Sequence, residues 1–136
     1  MNIQEVVPFE RLGDLRLGMS RTAVRSMLGS NFKSFRKGPD SINETDAYDQ
    51  LGMHLYYDAD DQLEFIEMFP PSDPAYQGVH LLNNSLDQVL QKLAAIGQHY
   101  HYDDDGYDFK QLGVVLYVPD DSIESVAVYR RGYYGD

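Results

Sequence analysis

Three clusters of aspartate side chains are the residues of this chain whose type and spacing could do chemistry. They lie at residues 58–61, 103–105 and 120–121. Calcium binding requires several convergent oxygen ligands, but the spacing does not match the twelve-residue EF-hand loop with its closing glutamate. A negative patch that contacts a basic partner is a second interpretation. The third is structural, because aspartate is a frequent turn-forming residue. The sequence leaves these three interpretations open.

Two further pairs of side chains deserve a chemical interpretation. His99 and His101 lie on one face of a predicted strand, and paired histidines can bind zinc, but no third ligand is visible. Glu64 and Glu124 occupy matching positions in the two halves of the chain, and paired carboxylates can transfer protons. Each of them follows a turn, where solvation is the expected role. Since no nucleophile motif or glycine-rich phosphate loop occurs either, we predict no catalytic residue, no metal and no cofactor, and therefore no enzyme.

The elements that position these side chains follow from an internal repeat. Residues 48–56 resemble residues 110–117, and each segment is followed by an acidic turn and a second apolar alternation, at residues 63–69 and 123–129. Such β-favouring runs on either side of a turn predict one hairpin in each half. An internal repeat of this kind constrains the architecture before any motif is considered.

Each hairpin is preceded by a predicted helix that begins after a serine. Ser20 and Ser85 are suitable N-caps, because their hydroxyls can accept a hydrogen bond from an amide in the first turn. Apolar residues at helical spacing follow in residues 21–28 and 86–96.

We predict an α+β fold of two tandem units, each with one helix and about three antiparallel strands, in which the helices pack on one face of the sheet. The first unit is expected at residues 1–71 and the second at residues 72–136, together forming one compact domain.

A comparison of the two halves predicts which face of the sheet binds a partner. Ile66 matches Val126 and Met68 matches Val128, so these positions are expected to face the helices. The opposite face then carries exposed aromatic residues, which are typical of protein-binding surfaces. An alternative is that a loop or the other unit covers this face. The predicted partner-binding residues are the aromatic anchors Tyr56, Phe65, Phe69, Tyr117 and Tyr129, with Asp103, Asp104 and Asp105 at the rim.

Composition limits the classes of function. The chain has 136 residues, no cysteine, and 22 acidic against 11 basic side chains, for a net charge of −11. Such a surface repels nucleic acid and anionic membranes and attracts a basic protein, although acidity also serves solubility. The N-terminus lacks the pattern of a signal peptide, and no apolar run is as long as a membrane helix. We therefore expect a cytoplasmic protein that binds neither nucleic acid nor membrane.

Two segments resemble known families. Residues 15–20, with Val24 and the Leu28-Gly29 pair after them, are similar to the opening of the helix-and-sheet unit in the β-lactamase-inhibitor-protein-like fold. That resemblance implies a tandem duplication that binds its target with a concave sheet surface. Residues 126–134 resemble the end of small cytoplasmic proteins encoded beside polymorphic or contact-dependent toxins. This second resemblance implies an immunity protein.

The sequence thus predicts an immunity protein that binds and neutralises a cognate bacterial toxin, a basic nuclease-type domain, through an aromatic and acidic surface. The alternative is an interaction or assembly module of the β-lactamase-inhibitor type with no toxin partner. The identity of the toxin and the oligomeric state are left open.

Overall fold

The protein, seen in a computed structural model that describes residues 4–36, 38–39 and 43–134, folds mainly into β-strands. This part of the chain contains thirteen strands in two sheets and two short α-helices. The predicted α+β class, with two units of one helix and about three strands, is therefore wrong. Most of the unpredicted strands span only two to four residues, too few for an alternation of apolar and polar side chains to be recognised.

The larger sheet has eight antiparallel strands, four from each half of the chain. Its strands are β4 (Lys33–Phe35), β5 (Thr45–Tyr48), β6 (Met53–Tyr57), β7 (Leu63–Met68), β10 (His101–Asp103), β11 (Gly106–Phe109), β12 (Val114–Tyr117) and β13 (Ser125–Tyr129). Across the sheet their order is β10-β11-β12-β13-β7-β6-β5-β4. Consecutive strands pair within each half, and the two halves meet where β7 pairs with β13.

A smaller sheet of five short strands links the beginnings of the two halves. Its strands are β1 (Gln4–Val7), β2 (Arg11–Leu12), β3 (Leu15–Arg16), β8 (Pro74–Tyr76) and β9 (Val79–His80). Their order is β3-β2-β1-β8-β9, and the single parallel pair joins β1 to β8. The boundary predicted between residues 71 and 72 falls between β7 and β8, and it stays a prediction.

The two helices begin where the serine caps predicted them. In α1 (Arg21–Leu28) the hydroxyl of Ser20 accepts a hydrogen bond from the amide of Ala23 at 3.1 Å. In α2 (Leu86–Ala95) the hydroxyl of Ser85 accepts one from the amide of Gln88 at 3.2 Å. Within the described residues, no helix combines the length and apolar character needed to cross a membrane.

The main core joins the apolar faces of both helices to one face of the larger sheet. Val24 of α1 and Val89 and Leu93 of α2 are fully buried in it. The alternation in the central strands points one set of side chains into this core. The prediction that Ile66, Met68, Val126 and Val128 lie on the buried side is confirmed.

A buried carboxylate fastens α1 to the sheet. The side chain of Asp46 on β5 is fully buried, and it accepts hydrogen bonds from Arg21 at 3.0 Å and from Arg25 at 2.8 and 2.9 Å. The hydroxyl of Ser34 on β4 donates a further bond at 3.0 Å. The Arg21 guanidinium also lies 4.1 Å from the centre of the Tyr57 ring, so this charged group of α1 stacks on a buried ring of the sheet.

We expect Asp46→Asn to destabilise the protein by about 3 kcal/mol, because removing one member of a buried ion pair leaves the other charge uncompensated. Asp61 provides a matched control, since it pairs with the same Arg21 at 2.9 Å but is 49% exposed. Asp61→Asn should cost less than about 1 kcal/mol. Urea denaturation of both variants measures the difference. Equal losses would show that the buried carboxylate has no special role.

Candidate functional site

The central pairing of β7 with β13 relates the two halves of the sheet by an approximate twofold. Glu67 lies directly opposite Ala127, and these two residues occupy equivalent places in their hairpins. Phe65 lies opposite Tyr129 on one side of this pair. Phe65, Glu67, Ala127 and Tyr129 project to the same side of the sheet, because directly opposed residues share a face and side chains alternate along a strand. The helices leave this side uncovered.

The predicted aromatic anchors lie on this helix-free face. Tyr56 is opposite Phe65, and Phe65 is opposite Tyr129, so these three form one row across three strands. The Tyr56 and Phe65 ring centres are 5.3 Å apart in an edge-on arrangement. Tyr117 and Phe69 reach the same face through the two-residue period of their strands. The five residues thus share one face, as the sequence comparison predicted, but the expectation that they are exposed is wrong for Phe65 and Tyr129, which are only 9% and 5% exposed. That this face binds a partner stays a prediction.

The helix-free face contains an open groove of about 570 Å³ in the half formed by β10 to β13 and β7. Its floor is made of small side chains, Val115, Ser125 and Ala127, together with Gly106. Larger side chains from the surrounding strands form the walls. They include Phe65, Glu67, Asp103, Asp104, Asp108 and Tyr117.

The equivalent place in the other half is filled. The registers make His54 the counterpart of Val115 and Phe65 the counterpart of Ser125. Larger side chains therefore stand where the groove has the small residues of its floor. His54 lies between two aromatic rings, at 5.6 Å from Phe35 and 4.9 Å from Phe69. The sheet therefore carries this groove on one side of its twofold and a row of packed rings on the other.

Hydroxyl groups hold two carboxylates in the groove. Glu67 accepts hydrogen bonds from the Tyr56 hydroxyl at 3.1 Å and from the Ser125 hydroxyl at 3.2 Å. Asp108 accepts one from the Tyr129 hydroxyl at 2.7 Å. All of these donors are neutral, so they orient the carboxylates without cancelling their charge.

An aromatic cluster borders the groove at the C-terminal end of β13. The Tyr129 ring contacts Phe9 at 6.1 Å, Tyr133 at 6.0 Å and Tyr134 at 4.8 Å between ring centres. The Arg131 guanidinium caps the Phe9 ring at 4.1 Å. Burial, with smaller effects of neighbouring Tyr134 and of acidic side chains, raises the pKa of Tyr133 to about 12. Part of the face is thus covered by the chain itself, which is the alternative that the sequence left open.

The structure separates the predicted site residues into four sets, of which the last contains Asp105 alone. Phe65, Tyr117, Asp103 and Asp104 line the groove. Tyr56 and Tyr129 support it by bonding to its carboxylates, and Phe69 lies in the filled half.

Asp105 lies away from the groove. Its carboxylate accepts a bond from the Tyr102 hydroxyl at 3.4 Å, and it borders a different hollow beside the start of α2. The location of Asp105 differs from that of Asp104, which lines the groove, because the tight turn between β10 and β11 reverses the chain at this point.

Sequence reasoning did not select Glu67 and Asp108 as binding residues. Glu67 alternates with the apolar residues of β7, and Asp108 lies in the short strand β11, just beyond the acidic turn that contains Asp104 and Asp105. An isolated acidic residue that alternates with apolar ones on a strand is the available signal. Its meaning becomes clear only when register brings the two carboxylates onto one row of the sheet.

The aspartate clusters at the turns have structural contacts. Asp58 accepts bonds from the amides of Asp60 and Gln62, both at 2.9 Å, and it pairs with Arg130 at 2.8 Å. Asp61, Asp104, Asp105 and Asp121 have positive φ angles, a conformation that aspartate tolerates better than most residues. Among the residues that the structure describes, no group of three or more histidine and acidic side chains is arranged to hold a metal ion.

The matched glutamates do not form a pair. Glu64 precedes Phe65 at one end of the β7–β13 ladder, where its carbonyl accepts the amide of Arg130. Glu124 lies before Ser125 at the opposite end, because the two strands run antiparallel. Equivalent positions are therefore separated by the length of the ladder, and the proton-transfer interpretation has no geometric basis.

Comparisons of the chain with protein-family models, with curated proteins and with solved structures gave no match.

The aromatic cluster should make stability fall at alkaline pH. The pKa of Tyr133 is raised from an ordinary 10.0 to about 12, so the stability that it contributes is complete below pH 10 and lost as the pH rises through 12. Urea unfolding at pH 8 and pH 11.5 should show a loss that is smaller in Tyr133→Phe than in the parent. The two proteins should be equally stable at pH 8. An identical loss in both at pH 11.5 would contradict this assignment.

Proposed function

We propose that this protein is an immunity protein, which binds a cognate bacterial toxin through the helix-free face and thereby neutralises it. The observation that carries the proposal is the acidic and aromatic groove on that face. Binding sites between proteins combine aromatic anchors in concave surfaces with a polar rim. Tyr117, at 38% exposure, corresponds to such an anchor, and Asp103 and Asp104 correspond to such a rim. Phe65 is only 9% exposed and forms part of the wall behind it.

The charge of the chain supports a basic partner. With a net charge of −11, the surface attracts a cationic domain from a distance and raises the association rate. Many nuclease-type toxins act on nucleic acid, which they must attract with basic side chains. Such a domain is complementary to this protein, and the proposal places their encounter in the cytoplasm.

The two resemblances point in the same direction. Residues 15–29 resemble the β-lactamase-inhibitor-protein-like unit, and this similarity implies that a sheet surface makes the contact. Residues 126–134 resemble the end of small proteins encoded beside toxins, and this similarity implies that the target is a toxin. The proposal involves no catalytic step, cofactor or metal in this chain. Inhibition follows from covering the toxin surface.

Growth rescue tests the proposal directly. The proposal expects a large reading frame beside the gene for this chain, and its C-terminal domain is the candidate toxin, to be expressed in a bacterial host with or without the protein. The parent should restore growth, and Tyr117→Ala should raise the dissociation rate constant about 10- to 100-fold with a smaller change in association. Tyr102→Ala is the control, because Tyr102 is 51% exposed but opposes Tyr107, a partly buried residue packed against the core on the helix side.

Two outcomes would contradict the proposal. Failure of the parent to restore growth or to bind the purified toxin domain would favour the assembly-module alternative. Equal dissociation rates for Tyr117→Ala and Tyr102→Ala, with rescue intact, would keep the function but exclude this face.

The rim aspartates should act mainly on the association rate. In the double variant Asp103→Asn, Asp104→Asn the toxin should associate several-fold more slowly at low salt, and the rate should depend less on ionic strength. Asparagine suits position 104, whose φ is 50°. Stopped-flow association at low and physiological salt measures this effect. A change confined to dissociation would argue against a steering role.

A further inference from the structure

We propose that the groove receives an arginine side chain of the partner, with the guanidinium held by the carboxylates of Glu67 and Asp108 and stacked against Tyr117. This inference rests on the proposed function and names the chemistry of the contact. It makes Glu67 and Asp108 specificity-determining residues that the pattern of the sequence did not select.

The two carboxylates belong to one row across the sheet. The registers place Asp108 opposite Val115, Val115 opposite Ala127, and Ala127 opposite Glu67. Three strand spacings of about 4.8 Å put the backbones of the outer two residues roughly 14 Å apart. Both side chains project from the helix-free face and line the groove, which leaves a gap between them over the middle of the row. The small floor residues Val115 and Ala127 keep that gap open.

The groove has surplus negative charge. Four carboxylates line it, from Glu67, Asp103, Asp104 and Asp108, against a single lysine, Lys110, and one histidine, His101. In the described part of the chain, none of these four carboxylates forms an ion pair with a basic side chain. A cation from another molecule therefore meets a charge that the protein leaves uncompensated.

The carboxylates are oriented before a ligand arrives. Glu67 receives one hydroxyl bond on each oxygen, from Tyr56 and from Ser125, and Ser125 is itself only 2% exposed. Each carboxylate oxygen has a second lone pair, so one acceptor position per oxygen remains for an N–H donor. Preorganised acceptors reduce the entropy that binding must overcome.

The shape of the walls distinguishes arginine from lysine. The Tyr117 ring is 38% exposed and Tyr134 is 54% exposed, and both border the groove. A guanidinium is planar, stacks on aromatic rings, and presents a fork of N–H donors that matches carboxylate oxygens. An ammonium is a compact, strongly hydrated charge and gains less from either feature.

Other occupants fit less well. An apolar side chain would desolvate the carboxylates without a compensating hydrogen bond. An acidic peptide or a phosphate backbone would be repelled by them. The charge complementarity of the groove thus selects a basic protein segment, which agrees with the partner expected from the net charge.

An NMR titration tests this inference without the toxin. The probes are N-acetyl-arginine-N-methylamide, its lysine analogue and its uncharged citrulline analogue, added to the full chain with labelled methyl groups. We expect the arginine compound, with an affinity on the order of millimolar, to shift the Val115 and Ala127 methyl signals. Lysine should bind several-fold more weakly and citrulline not at all.

Charge variants identify the contacts. Glu67→Gln with Asp108→Asn should weaken arginine binding about tenfold or more, whereas the exposed Asp120→Asn should change it less than about twofold. Tyr117→Ala, which keeps every carboxylate, should remove the preference for arginine over lysine. The inference is overturned by equal shifts from citrulline, by shifts outside the groove, or by equal weakening in the Asp120 variant. The toxin rescue assay is a separate measurement, so failure of one does not imply failure of the other.

Discussion

The antiparallel pairing of β7 with β13 is the interaction on which the rest of the structure depends. It joins two four-stranded runs into one sheet and aligns Ile66 with Val128 and Met68 with Val126 on the buried side. Both helices then pack on a single continuous surface, and neither half has to bury its sheet alone. A shift of one residue in this register would exchange the two faces, because side chains alternate along a strand. The apolar core on one face therefore fixes which side chains appear on the other.

The same pairing explains why a repeated chain presents one groove. Equivalent positions of the two halves lie at matched distances from the Glu67–Ala127 pair, on opposite sides of it. A difference in residue type between the halves therefore makes the two sides of the helix-free face different. Small residues at Val115 and Ala127 open the surface on one side, whereas His54 and Phe69 pack together on the other. The two halves therefore share one scaffold, and their differences on the helix-free face make that face asymmetric.

The sequence predicted the parts of this arrangement that depend on local physics. Ser20 and Ser85 cap helices because a hydroxyl can satisfy a nearby amide, and this requires no knowledge of the fold. The short strands and the strand order were not predictable, because pairing between distant segments leaves little trace in either segment. The groove was missed for the same reason. Asp105 was grouped with Asp103 by spacing, and only the turn geometry separates them.

The central claim is that the helix-free face, at its groove, is the surface that contacts the partner. Hydrogen exchange measured by mass spectrometry on the protein alone and with a saturating amount of the candidate toxin domain tests it most directly. We predict that toxin binding slows exchange in β11, β12 and β13 and in the segment around Tyr134, while α1 and α2 exchange as before. Protection confined to the helices, with no change in the strands that line the groove, would contradict the account.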